Sequence, residues 1–226
     1  MNKKWLIVGG VIGLAGVLFV GPGCSVFGVR KTPEPDYQVT QEIEGEPIEI
    51  RVYKPMILAT TTVETTDYKE GSRVGFRRLA DYIFGENRSN EKIGMTAPVY
   101  QSSGEDDADG EKIGMTAPVY QEEGKDGVWK MAFVMPERYT LETLPKPLDP
   151  AIKLTTQPAK TFAVLRFRGR YNERNIERHR RQLESWLDAN GEWEATSKTR
   201  AAGYDPPFTL PMFRRNEILV EVEPRR

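Results

Sequence analysis

One cysteine and one histidine bound the chemistry open to this chain. Cys24 is the only cysteine, so the chain cannot close a disulfide on itself or build a thiolate metal site. His179 is the only histidine, which excludes paired imidazoles on one metal and makes any nucleophile of the hydroxyl or thiol kind depend on a single base. Asp107 and Asp109 hint at calcium, but a calcium loop needs further oxygen ligands at fixed positions, and none follow. No catalytic set and no metal site emerge, so the residues point to a binding protein rather than an enzyme.

The residues that could bind fall into three groups. Phe76, Leu79 and Ile83 recur at helical spacing, with Arg73, Arg77 and Arg78 on or beside the same turns. An apolar stripe edged by cations suits a flat apolar ligand bearing acid groups, although such a stripe is also the ordinary inward face of a helix, and Arg77 stands four residues before Asp81 as a simple surface pair. Met95 and Met115 occupy equivalent places in an internal repeat, where methionine packs adaptably. His179 lies three residues after Ile176 and four before Leu183, on the apolar side of a second helical stretch. Arg178, Arg180 and Arg181 beside it disfavour its charged form.

The elements that must position these groups are legible from periodicity. Residues 37–43 and 48–52 alternate around a turn at Gly45 to Pro47, predicting a hairpin, and 56–63 is β-branched and predicts a third strand. A helix is expected with Ser72 as its cap and Gly85 at its end. Next come two identical eleven-residue segments, EKIGMTAPVYQ at 91–101 and at 111–121, joined by an acidic, Gly-containing spacer and read as two equivalent extended strands. Trp129, Met131, Phe133 and Met135 form the bulky face of a strand ended by Pro136. Further strands are expected at 152–156 and 161–167, then a helix capped by Asn172 with Gly191 beyond it, and a last strand at 217–222. Strands, helix, strands occurs twice, which predicts two related halves in a mixed α/β domain.

The N-terminal stretch reads as an address rather than as fold. Lys3 and Lys4 precede an apolar run over 5–20, then Gly21, Pro22, Gly23 and Cys24, in the order of a secretory signal. A helix of that run spans about 24 Å at 1.5 Å per residue, short of the roughly 30 Å hydrocarbon layer. The site resembles a bacterial lipobox, with Cys24 as the lipidated residue. That divides the chain into a signal (1–23), a tether (24–36) and a domain (37–226), and places the protein in the cell envelope on a periplasm-facing membrane. With 32 Lys+Arg against 33 Asp+Glu there is no basic excess for nucleic acid.

KIGMTAPV at 92–99 and 112–119, FVMPERYTLETLPKPLDP at 133–150 and GYDPPFTLPMFRRNEILV at 203–220 resemble the SOUL, or haem-binding-protein, family. The resemblance implies an α+β fold: a distorted β-barrel or curved antiparallel sheet with two helices in pseudo-twofold-related halves. It also implies a non-covalent tetrapyrrole ligand, haem or a relative. Such a ligand needs an apolar slot, cations for its propionates and optionally an iron ligand. Phe76, Leu79 and Ile83 are the candidates for the slot, Arg73 and Arg78 for the propionates, Met95 and Met115 for pocket lining, and His179 for the iron. An enzyme built on a buried carboxylate and a structural envelope protein without ligand are the alternatives.

Overall fold

The computed structural model describes residues 32–88, 113, 117–123 and 128–225. Cys24, Met95, Met115 and the whole first copy of the repeat lie outside them. In chain order the strands are β1 (Tyr37–Glu42), β2 (Ile48–Tyr53), β3 (Met56–Glu64), β4 (Asn87–Arg88), β5 (Val119–Glu123), β6 (Val128–Val134), β7 (Lys146–Pro147), β8 (Ile152–Gln157), β9 (Lys160–Arg168), β10 (Trp193–Ala195), β11 (Arg200–Gly203) and β12 (Arg215–Pro224). Helix α1 (Tyr68–Phe84) follows β3, helix α2 (Glu173–Ala189) follows β9, and a 3₁₀ turn (Pro211–Phe213) precedes β12.

Strand order shows the two halves directly. Among the described residues ten strands share one antiparallel sheet ordered β1-β2-β9-β12-β11-β5-β6-β3-β8, with β10 on β12, while β4 and β7 pair separately. With β1 and β10 set aside, the run β2-β3-α1-β5-β6 maps onto β8-β9-α2-β11-β12, and the sheet order reads the same from either end. Each half lends its first strand to the other: β2 pairs with β9, and β8 with β3. The exchange makes neither half a free-standing sheet, and the whole curls into a half-barrel with both helices on one face.

Period-two alternation sorts the core. On the helix side, Ala163, Leu165, Phe167, Ile218 and Val220 pack with Ile176, Leu183 and Leu187 of α2. Ala59, Met131, Phe133 and Met135 pack there with Leu79, Tyr82 and Ile83 of α1. The residues between them, including Tyr53, Leu58, Ala132, Val134, Phe162, Val164, Ala202 and Leu219, form a third cluster on the opposite face of the sheet.

Several local expectations are corrected. Helix α1 starts four residues before Ser72, because the Asp67 carboxylate accepts from the backbone N–H of Lys69 (2.7 Å) and Glu70 (3.4 Å) and so caps an earlier turn. Ser72 is inside the helix, its hydroxyl accepting from Gln121 at 3.3 Å. Gly85 ends α1 at φ +131°, a conformation that favours glycine, as expected. Asn172 caps α2 and the helix ends at Ala189 with Gly191 beyond it, as expected; Asn190 is its C-cap. In the second repeat copy the strand begins only at Val119; Ile113 lies outside any strand, its N–H donates to the Ile83 carbonyl at 2.7 Å, and its side chain is buried against α1.

Candidate functional site

Helix α1 presents two different surfaces. Leu79 and Ile83 are fully buried against the sheet and so belong to the core. Phe76 is 45% exposed and rests edge-on upon Phe133, ring centres 5.4 Å apart. Arg73, Phe76, Arg77 and Phe84 follow helical spacing along the outward ridge; Phe84 is 57% exposed. Beside the C-terminal end of α1 the Leu148 N–H donates to the Glu86 carbonyl at 3.3 Å, and the Leu148 side chain is likewise open to water. The result is an apolar strip of Phe76, Phe84 and Leu148 along a helix carrying exposed Arg73 and Arg77. Arg78 is already engaged: it donates to the Thr62 carbonyl at 3.0 Å and stands 3.8 Å from Asp149.

His179 is on α2, over the other half of the sheet, and the fold does not bring it to the α1 ridge. Its ring stacks on Phe167 with centres 3.9 Å apart and planes 15° apart. Nδ1 is 2.7 Å from the Asn175 carbonyl, which can only accept, so Nδ1 carries the proton. Burial lowers its pKa below the ordinary 6.5, opposed by the Asn175 hydrogen bond and aided by Arg178. A depressed folded-state value means that the neutral form's contribution to stability is present above pH 6.5 and is lost as pH falls through that value. We expect the His179 ring protons in NMR to titrate below 6.5 and to move back toward it in Phe167→Ala. Titration at or above 6.5 in the parent protein would refute this picture.

A site that the sequence did not reveal lies on the sheet face away from the helices. Glu217 and Arg51 are both wholly buried. Arg51 Nη1 is 3.1 Å from both Glu217 oxygens, Arg215 Nη2 is 2.8 Å from Oε1, and the Tyr204 hydroxyl donates to Oε2 at 2.5 Å. The guanidinium carbon of Arg51 sits 4.4 Å from the centre of the Tyr37 ring, and that of Arg215 4.1 Å from Tyr204. Burial pulls the Arg51 pKa down, but Glu217 with the phenols of Tyr53 and Tyr37 pushes it above its ordinary value. Burial, with Glu217 adding, raises Tyr53 to about 12, so its phenol stays protonated. This carboxylate is saturated by two guanidiniums and a hydroxyl, and forms an internal ionic knot. The available signal was a charged residue every second place (Glu49, Arg51; Arg215, Glu217) in strands whose central residues are apolar.

Residues 33–36, read as the end of the tether, lie against the domain. Glu34 pairs with Arg215 at 2.9 Å, the Pro33 carbonyl accepts from the Ala117 N–H at 3.0 Å, and Asp36 pairs with Lys54 at 2.6 Å. A groove of about 570 Å³ opens on the same side of the second half, between the β1–β2 turn and the 3₁₀ turn, lined by acids such as Glu46 and by Arg166, Arg168 and Arg214. Its mixed charges do not match a flat apolar ligand.

Two exchanged halves carrying an open aromatic and basic helix ridge define the class: an α+β half-barrel. The C-terminal domain of EcmrR shares this fold, with a TM-score of 0.55 at 13% identity over 83% of this chain and 98% of that one. The family is more specific. The model described as SOUL heme-binding protein matches residues 32–221, and the chain belongs to that family. It is 28% identical over 194 residues to Heme-binding protein 1 of Xenopus tropicalis, covering 86% of this chain and 93% of that protein. It is also 26% identical over 188 residues to Heme-binding protein 2 of Homo sapiens, covering 81% and 83%.

Proposed function

We propose that this chain binds haem or a related porphyrin without a covalent link, as carrier, buffer or scavenger in the cell envelope, with its cargo on the outer ridge of α1. The observation that carries the location is the pairing of solvent-exposed Phe76, Phe84 and Leu148 with Arg73 and Arg77, neither of which has an ion-pair partner among the described residues. Large apolar groups left in water beside uncommitted cations fit a macrocycle with an apolar face and two carboxylates. Because Leu79 and Ile83 are in the core, Phe76 supplies the contact that all three were expected to share. Envelope attachment through Cys24 rests on the signal-like order of the first 24 residues, and membership of a family of haem-binding proteins supports the ligand class.

Absorption titration with haemin should give a saturable one-to-one Soret change, and metal-free protoporphyrin should bind comparably if apolar contact dominates. Phe76→Ala is expected to weaken binding about tenfold, equivalent to about 1.4 kcal/mol, and Arg73→Glu with Arg77→Glu to weaken it by a similar factor. His179→Ala should leave the Soret maximum in place. Affinity indifferent to the α1 changes but abolished by His179→Ala would move the site to α2.

A further inference from the structure

The stretch between β11 and β12 is built as a rigid projection. Pro206, Pro207 and Pro211 restrict its backbone, and Arg214 is folded into it, donating to the carbonyls of Thr209 (2.7 Å) and Pro207. The Thr209 side chain is buried beneath, the Thr209 N–H donates to the Pro206 carbonyl at 3.0 Å, and the Pro211 carbonyl accepts from Gly169 N–H at 3.0 Å. This frame holds every second side chain outward: Phe208 is 52% exposed, Leu210 41% and Met212 63%. A rigid loop that keeps three large apolar groups in water has been given a surface to meet.

Two observations identify that surface. The tether ends here, because Glu34 is held by Arg215, the residue that follows Arg214 at the foot of the projection. Glu34 stands ten positions after Cys24, a reach of at most about 35 Å when extended. Exposed cations also flank the projection: Arg170 follows the Gly169 that bonds Pro211, and Arg168, opposite Arg215 in the β9–β12 register, stands at the rim of the groove that also holds Glu42, Glu46 and Glu49.

We propose that the 206–212 projection is the membrane-docking surface of the anchored domain. Phe208, Leu210 and Met212 enter the headgroup layer while Arg168 and Arg170 face lipid phosphates. The proposal rests on the reading that Cys24 carries lipid. A lipid on Cys24 keeps the domain at the bilayer, so a second, weak contact on the same tether becomes effectively intramolecular.

The test uses the full chain, matured in a lipoprotein-processing host and reconstituted in vesicles of phosphatidylethanolamine and phosphatidylglycerol. With Cys24 lipidated, Met212→Cys supplies one free thiol for a fluorophore, and Lys153→Cys on distant β8 serves as comparison. Doxyl-labelled lipid should quench the Met212 label and not the Lys153 label, and iodide access to the Met212 label should fall at least threefold on reconstitution. Phe208→Asp with Leu210→Asp should restore iodide access while the protein still floats with the vesicles. Flotation with the Met212 label fully open to iodide overturns docking alone. Protein that does not float and takes label at Cys24 overturns the anchoring reading and docking with it. Protection of the Met212 label before vesicles are added would assign the surface to a protein contact and overturn the proposal.

Discussion

Replacing Glu217 with alanine is expected to destabilise the fold by about 3–5 kcal/mol, a large part of the 5–15 kcal/mol that holds a typical domain together. The loss has two sources. Arg51 would keep its buried charge with only Glu49, 2.7 Å from its Nε, left as a carboxylate partner, and its Nη2 already lacks a hydrogen-bond partner. Arg215 would also face Arg51 with no carboxylate between them, retaining only Glu34 on its outer side. A knot of this kind is not in itself a strong stabiliser, since desolvating the charges offsets most of their attraction. The double change Arg51→Met with Glu217→Leu should therefore cost much less than the two single changes added together, and urea unfolding of all three variants completes the cycle. Glu217→Ala within 1 kcal/mol of the parent would show that Glu217 does not hold the two buried guanidiniums as described.

The second large effect is expected where α1 touches the sheet. A Cβ added at Gly71 would meet Cγ and Cδ1 of Trp129 at 2.7 and 2.8 Å and its Cβ at 3.1 Å, the part of that side chain nearest the backbone and least able to yield. Replacing glycine within a helix ordinarily contributes about 1 kcal/mol of stability, but forcing atoms into a filled core costs about 1–3 kcal/mol. For Gly71→Val the clash wins, and a net loss of about 2–3 kcal/mol is expected. The lifted helix should carry Phe76 off Phe133 and weaken haemin binding as well. Gly75 is the contrasting case: Met131 Cβ at 3.3 Å need give only a few tenths of an ångström, and its Sδ and Cε at 3.5 and 3.6 Å are in ordinary contact on a chain that repacks easily. Gly75→Ala should be neutral or stabilising by up to about 1 kcal/mol, leaving haemin affinity unchanged. Equal melting temperatures for Gly71→Val and the parent would contradict the packing.

By itself the sequence determined the elements and their repetition. Alternating residues set β1, β2, β6 and β9 to within a residue or two, Gly85 and Asn172 marked helix ends, and the doubled order of strand and helix foretold two halves. These signals are local: a strand's alternation and a helix cap depend on neighbours along the chain. Helix α1 started early because Asp67 offers a carboxylate to the first turn, and Ser72 was the weaker of two nearby caps. Tertiary structure decided the rest. Periodicity could group Phe76 with Leu79 and Ile83 but could not tell which residues of a broad stripe the sheet would cover. Only the docking of α1 on Phe133 and Met131 left Phe76 outside and sealed the other two. His179 and the α1 arginines were candidates for one site until the exchange of β2 and β8 set the two helices over different halves. Glu49, Arg51, Arg215 and Glu217 take every second place in their strands, as the water-facing side of a strand does. Arg51, Arg215 and Glu217 became an interior because the sheet curls until its second face is covered as well, and the charges brought together there are solvated by one another and by Glu49 at the edge.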